Sequence, residues 1–183
     1  MIDGIIGPAD NAHRFAPAAP EAEYVFGACC PGWHTAANHE RALDDWIAFV
    51  REQGIERVCC LLPGRQLDRY GGNVARYEAA FGPENVRHAP IPDHHLAEES
   101  TLSTDVLPFL DAAVAANEPV VVHCLAGIGR TGQVLAAWLV HHYDYHPERA
   151  VETVRQMGRA PGDAVDAGNA TEQELYDLLA TFR

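Results

Sequence analysis

The chain contains no lysine. All 13 of its basic side chains are arginine, set against 26 Asp and Glu, and the formal net charge is −13. So few cations exclude the class of proteins that grip nucleic acid through basic patches. The bias has two readings. An acid-rich surface without lysine suits concentrated salt (a halophilic protein), where screening removes self-repulsion. A GC-rich genome, which spells Arg and Ala readily, produces the same composition. Long apolar runs are also missing: none approaches the roughly 18 residues of a membrane helix. The opening stretch, MIDGIIGPADNAHRFAPAAP, has no basic segment leading into an apolar one. No secretory leader is expected, and the default compartment is the cytoplasm, with no membrane partner. Internal repeats and low-complexity tracts are absent.

Cysteines are few, and their number is odd: Cys29, Cys30, Cys59, Cys60 and Cys124. An odd count in a cytoplasmic chain argues against a disulfide framework. Two of the pairs are adjacent rather than separated by two residues, which is wrong for a zinc hairpin. Neighbours on a strand point to opposite faces, so one member of each pair is expected in the core. His94-His95 and His141-His142-His146 hold no implied third ligand, and no metal site is expected.

What is present is a chain of 183 residues, 48% apolar, enough for one domain with a real core. We expect an N-terminal segment over 1–22 and a single domain over 23–183. Strands are expected at 23–30, 55–63, 85–93 and 119–123. Helices are expected at 35–54, 73–81, from Ser100, Thr101 or Ser103 as N-cap to about Asn117, and at 131–143 and 147–157. A last helix starts from a capping box of Thr171 and Glu174. Glycine-rich loops are expected at 64–72 and 158–168. Alternating buried strands and helices imply an α/β fold, a mainly parallel central sheet flanked by helices. A ligand would sit at the C-terminal ends of its strands.

One such end carries the chemistry. VVVHCLAGIGRTG, residues 120–132, runs an apolar strand into Cys124, a glycine-rich loop and Arg130. Backbone N–H groups of Leu125, Ala126, Gly127, Ile128, Gly129 and Arg130 could curl around a tetrahedral oxyanion, with a helix N-terminus adding its positive end. Arg130 could add a bidentate guanidinium. The same donors would stabilise a thiolate on Cys124, placed beneath the bound phosphate for in-line attack. His123, turned away by strand alternation, is expected to orient the loop through the backbone.

The sequence His123-Cys124-x5-Arg130-Thr131-Gly132 resembles the signature loop of the cysteine-dependent protein-tyrosine and dual-specificity phosphatases, and its strand and helix context matches. The resemblance extends over most of the chain, though the loop is its one highly specific part. It implies a dual-specificity-phosphatase-like fold and hydrolysis of phosphotyrosine, and of phosphoserine or phosphothreonine, through a cysteinyl-phosphate intermediate, without metal or cofactor. It also implies a general acid, for which PIPDHH offers Asp93 and GRQLDRY offers Asp68. Thr131 would hydrogen-bond the Cys124 sulfur, and Gln173 resembles a glutamine that positions the attacking water. Without lysine in the loop, the expected substrate is a phosphorylated protein or a small aryl phosphate rather than a polyphosphorylated lipid. A phosphate-recognition module without turnover is the alternative. Arsenate reduction or sulfur transfer would need a second obligatory cysteine or a sulfur donor. Cys29, Cys59 or Cys60 could trap an oxidised Cys124 if near enough.

Overall fold

The computed structural model describes residues 8–33, 39–69 and 73–183, without the side chains of 68 and 69. Two short strands come first, β1 (Ala16–Pro17) and β2 (Val25–Ala28). Helix α1 (His39–Glu52) buries Leu43, Trp46, Ile47 and Val50, the stripe its periodicity predicts. Residues 35–38 of the expected helix lie outside the described residues. Strand β3 (Arg57–Cys60) is followed by a difference from expectation. Instead of a glycine loop from Gly64, the chain turns at once into α2 (Gly64–Arg69). The Pro63 carbonyl accepts from Gln66 and Leu67 N–H at 2.9 and 3.1 Å. The Arg-Gln-Leu run favours helix, and a glycine in the first turn opposes it little.

Helix α3 (Asn73–Phe81) leads to β4 (Val86–His88), cut short of the expected strand by Pro90 and Pro92. The next helix departs from its expected cap. Ser100 already has helical φ and ψ and makes no capping bond, and a π-helical turn, Thr101–Val106, precedes α4 (Leu107–Ala116). Pro108 explains the wide turn. It has no N–H to return to the preceding turn, and the Leu107 N–H reaches back to Leu102 O instead. Strand β5 (Val120–His123) and helix α5 (Gly129–Tyr143) bracket the glycine loop, and α6 (Pro147–Gln156) follows. The expected loop at 158–168 contains one helical turn, α7 (Asp163–Asp166). The capping box forms as read, with Thr171 and Glu174 exchanging bonds ahead of α8 (Glu172–Ala180).

The five strands form one sheet in the order β1-β2-β5-β3-β4, and every pairing except β1–β2 is parallel. Fully buried β5 lies at its centre, which is why VVVH reads as continuous apolar sequence rather than an alternating one. Val120, Val122 and Cys124 pack under α4, α5, α6 and α8 on one face. Val121, Val58 and Cys60 pack under α1 and α3 on the other. The sheet begins earlier than the sequence reading has it. β1 lies within the 1–22 segment, and Ala9, Ala16, Ala18, Ala19 and Ala22 are buried, so residues 8–22 pack as part of the same body. Among the described residues no helix is long and apolar enough to cross a membrane.

Candidate active site

The chain leaves the centre of the sheet at Cys124, which is 2% exposed, and wraps through 125–128 into the start of α5. All four loop carbonyls are held from outside. Leu125 O accepts from Cys30 N at 2.9 Å, and Ile128 O accepts from Gly132 N and Ala160 N at 3.0 and 3.2 Å. Ala126 O accepts from Arg14 Nη1 at 2.8 Å, and Gly127 O from Arg159 Nη1 at 2.5 Å. With the carbonyls turned outward, the N–H groups of the loop turn inward, and none of them donates to a backbone carbonyl among the described residues. Together with the α5 N-terminus they leave a ring of unpaired N–H donors of the kind an anion would need. Gly127 has φ 73°, and a Cβ there would lie 2.5 Å from Ala28 O, so the tight approach of loop to β2 requires glycine.

Thr131 Oγ1 donates to Cys124 Sγ at 3.2 Å. His123 is fully buried and points to the opposite face. Its Nδ1 donates to Cys124 O at 3.0 Å, which leaves Nε2 to accept from Tyr77 OH at 3.0 Å. Desolvation pushes its pKa down to about 4, so the ring is neutral at neutral pH and this tautomer is forced. The other four cysteines are free, buried thiols, and desolvation raises all of them, Cys29 and Cys60 to about 12.

Arg130, 3% exposed, spends one corner on the protein. Its Nη1 donates to Gln66 Oε1 at 2.9 Å and to Ile91 O at 3.1 Å. Nη2 lies 3.0 Å from Asp93 Oδ1. The acid suggested by PIPDHH therefore reaches the arginine suggested by the loop, 37 residues further on in the chain. Cys124, Arg130 and Asp93 share one cleft of about 120 Å³, walled by Trp33, His94 and Asp163. A larger groove of about 210 Å³ beside Cys29 and Cys30 is lined by His13 and Asp45 and, among the described residues, by no arginine, so chemistry rather than size marks the site.

A family model described as "Tc-R-P: Polymorphic toxin system, DSP-PTPase phosphatase" matches residues 33–144, from the cleft wall to the end of α5. The chain belongs to this family. Its relatives include the dual specificity protein phosphatase H1 of Variola virus, 39% identical over 56 residues, which is 31% of this chain and 33% of the viral protein. The human dual specificity protein phosphatase 9 is 29% identical over 84 residues, 46% of this chain and 22% of that one. The alignments thus span a third or less of these relatives' own length. In fold, the chain is similar to Tk-PTP in its active form, with TM-score 0.61, 22% identity, and 84% and 92% of the two chains covered. Kinase associated phosphatase superposes with TM-score 0.68 at 19% identity, covering 88% and 86%.

In this DSP-PTPase chain the loop from Ile91 to Ala97 is tied down at several points. Besides Ile91 and Asp93, the Ala97 N–H donates to Gln133 Oε1 at 2.5 Å, and His94 O accepts from Asn169 Nδ2 at 2.8 Å. His94 sits at φ 56°, unusual for a non-glycine, and its Nδ1 donates to Asp163 Oδ2 at 2.8 Å. Ligating atoms of Asp93, His94 and Asp163 lie within 4.8 Å of one another. Both Asp93 oxygens are already engaged by Arg130 and Gln66, so the trio is knitted into the site rather than open to a cation. Gln173 is not brought to the cleft. It is exposed on α8 and donates to Asp177 Oδ1 at 2.7 Å, because the capping box sets the helix with that residue facing solvent. Asp68 lies on α2, with its side chain outside the described residues.

Sequence reasoning missed Arg14, Gln66, Asp163 and Arg159. Arg159 Nη2 donates to Arg14 O at 2.7 Å and to Gly27 O at 2.9 Å, in addition to its bond to the loop. Burial lowers its pKa to about 10, and it stays a cation at neutral pH, near Cys124 and Cys29. Its partners lie 32 to 145 residues away, so no local pattern could mark it. The one available signal was an arginine placed between loop glycines in a chain with few cations.

Proposed function

We propose that this chain is a cysteine phosphatase that hydrolyses phosphate monoesters, phosphotyrosine first and phosphoserine or phosphothreonine after it, in proteins or as small aryl phosphates. The observation that carries the reading is the outward pinning of all four carbonyls of 125–128 above Cys124, with Arg130 and Asp93 in the same cleft. Phosphate oxygens occupy the N–H cradle and the Nε–Nη2 edge of Arg130, displacing Asp93 from Nη2. The Cys124 thiolate attacks phosphorus. The S–P bond forms as the P–O bond breaks, and Asp93 gives its proton to the leaving oxygen. Water then attacks the cysteinyl phosphate, returning its proton to Asp93. The bond from Thr131 stabilises the departing thiolate.

The same three residues in one cleft count against a binding module without turnover. Trp33 offers a flat apolar wall for an aryl group. The rim bears Asp93 and Asp163 rather than further cations, which disfavours polyphosphorylated substrates. Neither cofactor nor metal enters this chemistry. We place the protein in the cytoplasm, consistent with its free thiols, and take residues 23–183 as the catalytic domain after an N-terminal segment over 1–22, of which residues 8–22 pack with it.

The test is aryl phosphate hydrolysis in EDTA and molar KCl, wild type against Cys124→Ser. Turnover confined to the wild type, with a trapped phosphocysteine on rapid acid quench, is expected. Equal rates for both proteins, or none with vanadate still bound, would refute the reading.

A further inference from the structure

Gln66 touches both halves of the reacting apparatus. Its Oε1 accepts from Arg130 Nη1 at 2.9 Å while its Nε2 donates to Asp93 Oδ2 at 3.1 Å. The amide orientation is forced, since the reverse would press its NH₂ group on a guanidinium and its oxygen on a carboxylate. We propose that Gln66 is a positioning residue that fixes which oxygen of Asp93 carries the proton, coupling phosphate binding on Arg130 to acid catalysis. This rests on the phosphatase reading above.

The assignment follows from counting hydrogens. Both Nη1 hydrogens of Arg130 are taken, by Gln66 and by Ile91 O. The Nε–Nη2 edge is left to face the phosphate, and its Nη2 now lies 3.0 Å from Asp93 Oδ1. When a phosphate dianion takes the edge, Oδ1 is released next to it. Oδ2 stays behind as acceptor of the Gln66 N–H and cannot point a proton in that direction. The transferable proton therefore rides on Oδ1. It passes to the ester oxygen as the P–O bond breaks and the S–P bond forms. It returns to Oδ1 from the attacking water as the S–P bond breaks and the thiolate is restored.

Gln66→Met keeps the length of the side chain and removes both polar contacts; Gln66→Glu keeps the acceptor for Arg130 and loses the donor for Asp93. The measurement is kcat/KM on phenyl phosphate and on 2,4-dinitrophenyl phosphate, whose leaving group needs no proton. Both variants are expected to lose roughly 10- to 100-fold on the phenyl ester and less than about threefold on the dinitrophenyl ester. Gln66→Met combined with Asp93→Asn should be no slower on the phenyl ester than Asp93→Asn alone. A residue that merely supports α2 would slow both esters equally and add to Asp93→Asn, and that result overturns the proposal. Vanadate binding by calorimetry is read in parallel, with a change of less than about threefold expected in Gln66→Met. If the wild type binds vanadate but hydrolyses neither ester, the phosphatase reading fails and the proton assignment with it. If the wild type hydrolyses both and Gln66→Met leaves the ester preference unchanged, the Gln66 proposal alone falls.

Discussion

Acidification should unfold this protein through His123. The ring is fully buried, its Nδ1–H is committed to Cys124 O, and its Nε2 accepts from Tyr77. Burial holds its pKa at about 4 against an ordinary 6.5. A depressed histidine stabilises the fold fully above its unfolded value and loses that contribution as pH falls toward its folded value. In that window the unfolded chain takes up a proton that the folded chain refuses. Each pKa unit is worth about 1.4 kcal/mol, so lowering the pH from 6.5 to 4.5 should cost about 2 kcal/mol from this residue. His123→Asn isolates the effect, because an amide can donate to Cys124 O in place of Nδ1 and does not titrate. Urea denaturation of both proteins at pH 7.5, 6.5, 5.5 and 4.5 should show the wild-type stability falling more steeply by that amount. Parallel curves, or a His123 ring that titrates near 6.5 by NMR, would refute the account of a neutral ring locked between Tyr77 and the Cys124 carbonyl. Tyr77→Phe should lower stability by about 1–3 kcal/mol even at pH 7.5, since it leaves Nε2 without a donor in a dry environment.

Gly127→Ala would place a Cβ 2.5 Å from Ala28 O at φ 73°, and is expected to weaken vanadate binding at least roughly tenfold as the loop shifts off β2, measured by calorimetry. Arg159→Met leaves the carbonyls of Gly127, Arg14 and Gly27 without their buried donor. A loss of about 3–5 kcal/mol in urea denaturation is expected, with vanadate affinity falling alongside. Thr131→Ala should slow dephosphorylation roughly tenfold more than thiolate attack, so that a pre-steady-state burst grows as the steady rate drops. With net charge −13, the melting temperature should climb with KCl up to molar concentrations; a flat or falling curve would point to codon bias rather than salt adaptation.

Much of this protein is local in origin and therefore legible in its residues. Periodicity placed α1 and its buried stripe, and the capping box placed the start of α8, because both depend on residues within a few positions of one another. The spacing from Cys124 to Arg130 revealed the cradle for the same reason: one strand, one loop and one helix N-terminus build it. Locality misled where a single residue was weighed against its neighbours, as when Gly64 was read as loop while Pro63 and the residues after it nucleated α2. Ser100, Thr101 and Ser103 look like caps to their neighbours, yet the π turn that Pro108 imposes takes them into the helix. Tertiary structure decided which side chains complete the site. Parallel pairing of β5 between β2 and β3 brings the ends of distant strands together. That pairing sets Arg14 and Arg159 on the loop's carbonyls, Gln66 between Arg130 and Asp93, and Asp163 on His94. It also leaves Gln173 in solvent, where its local resemblance had no bearing on where α8 would dock. The sequence by itself determined Cys124, Arg130 and the glycine loop between them, since backbone conformation and short-range spacing are written into neighbouring residues. Which acid meets the arginine, and what holds the two in register, depended on packing between segments 27 to 145 residues apart, a distance over which no pattern along the chain carries information.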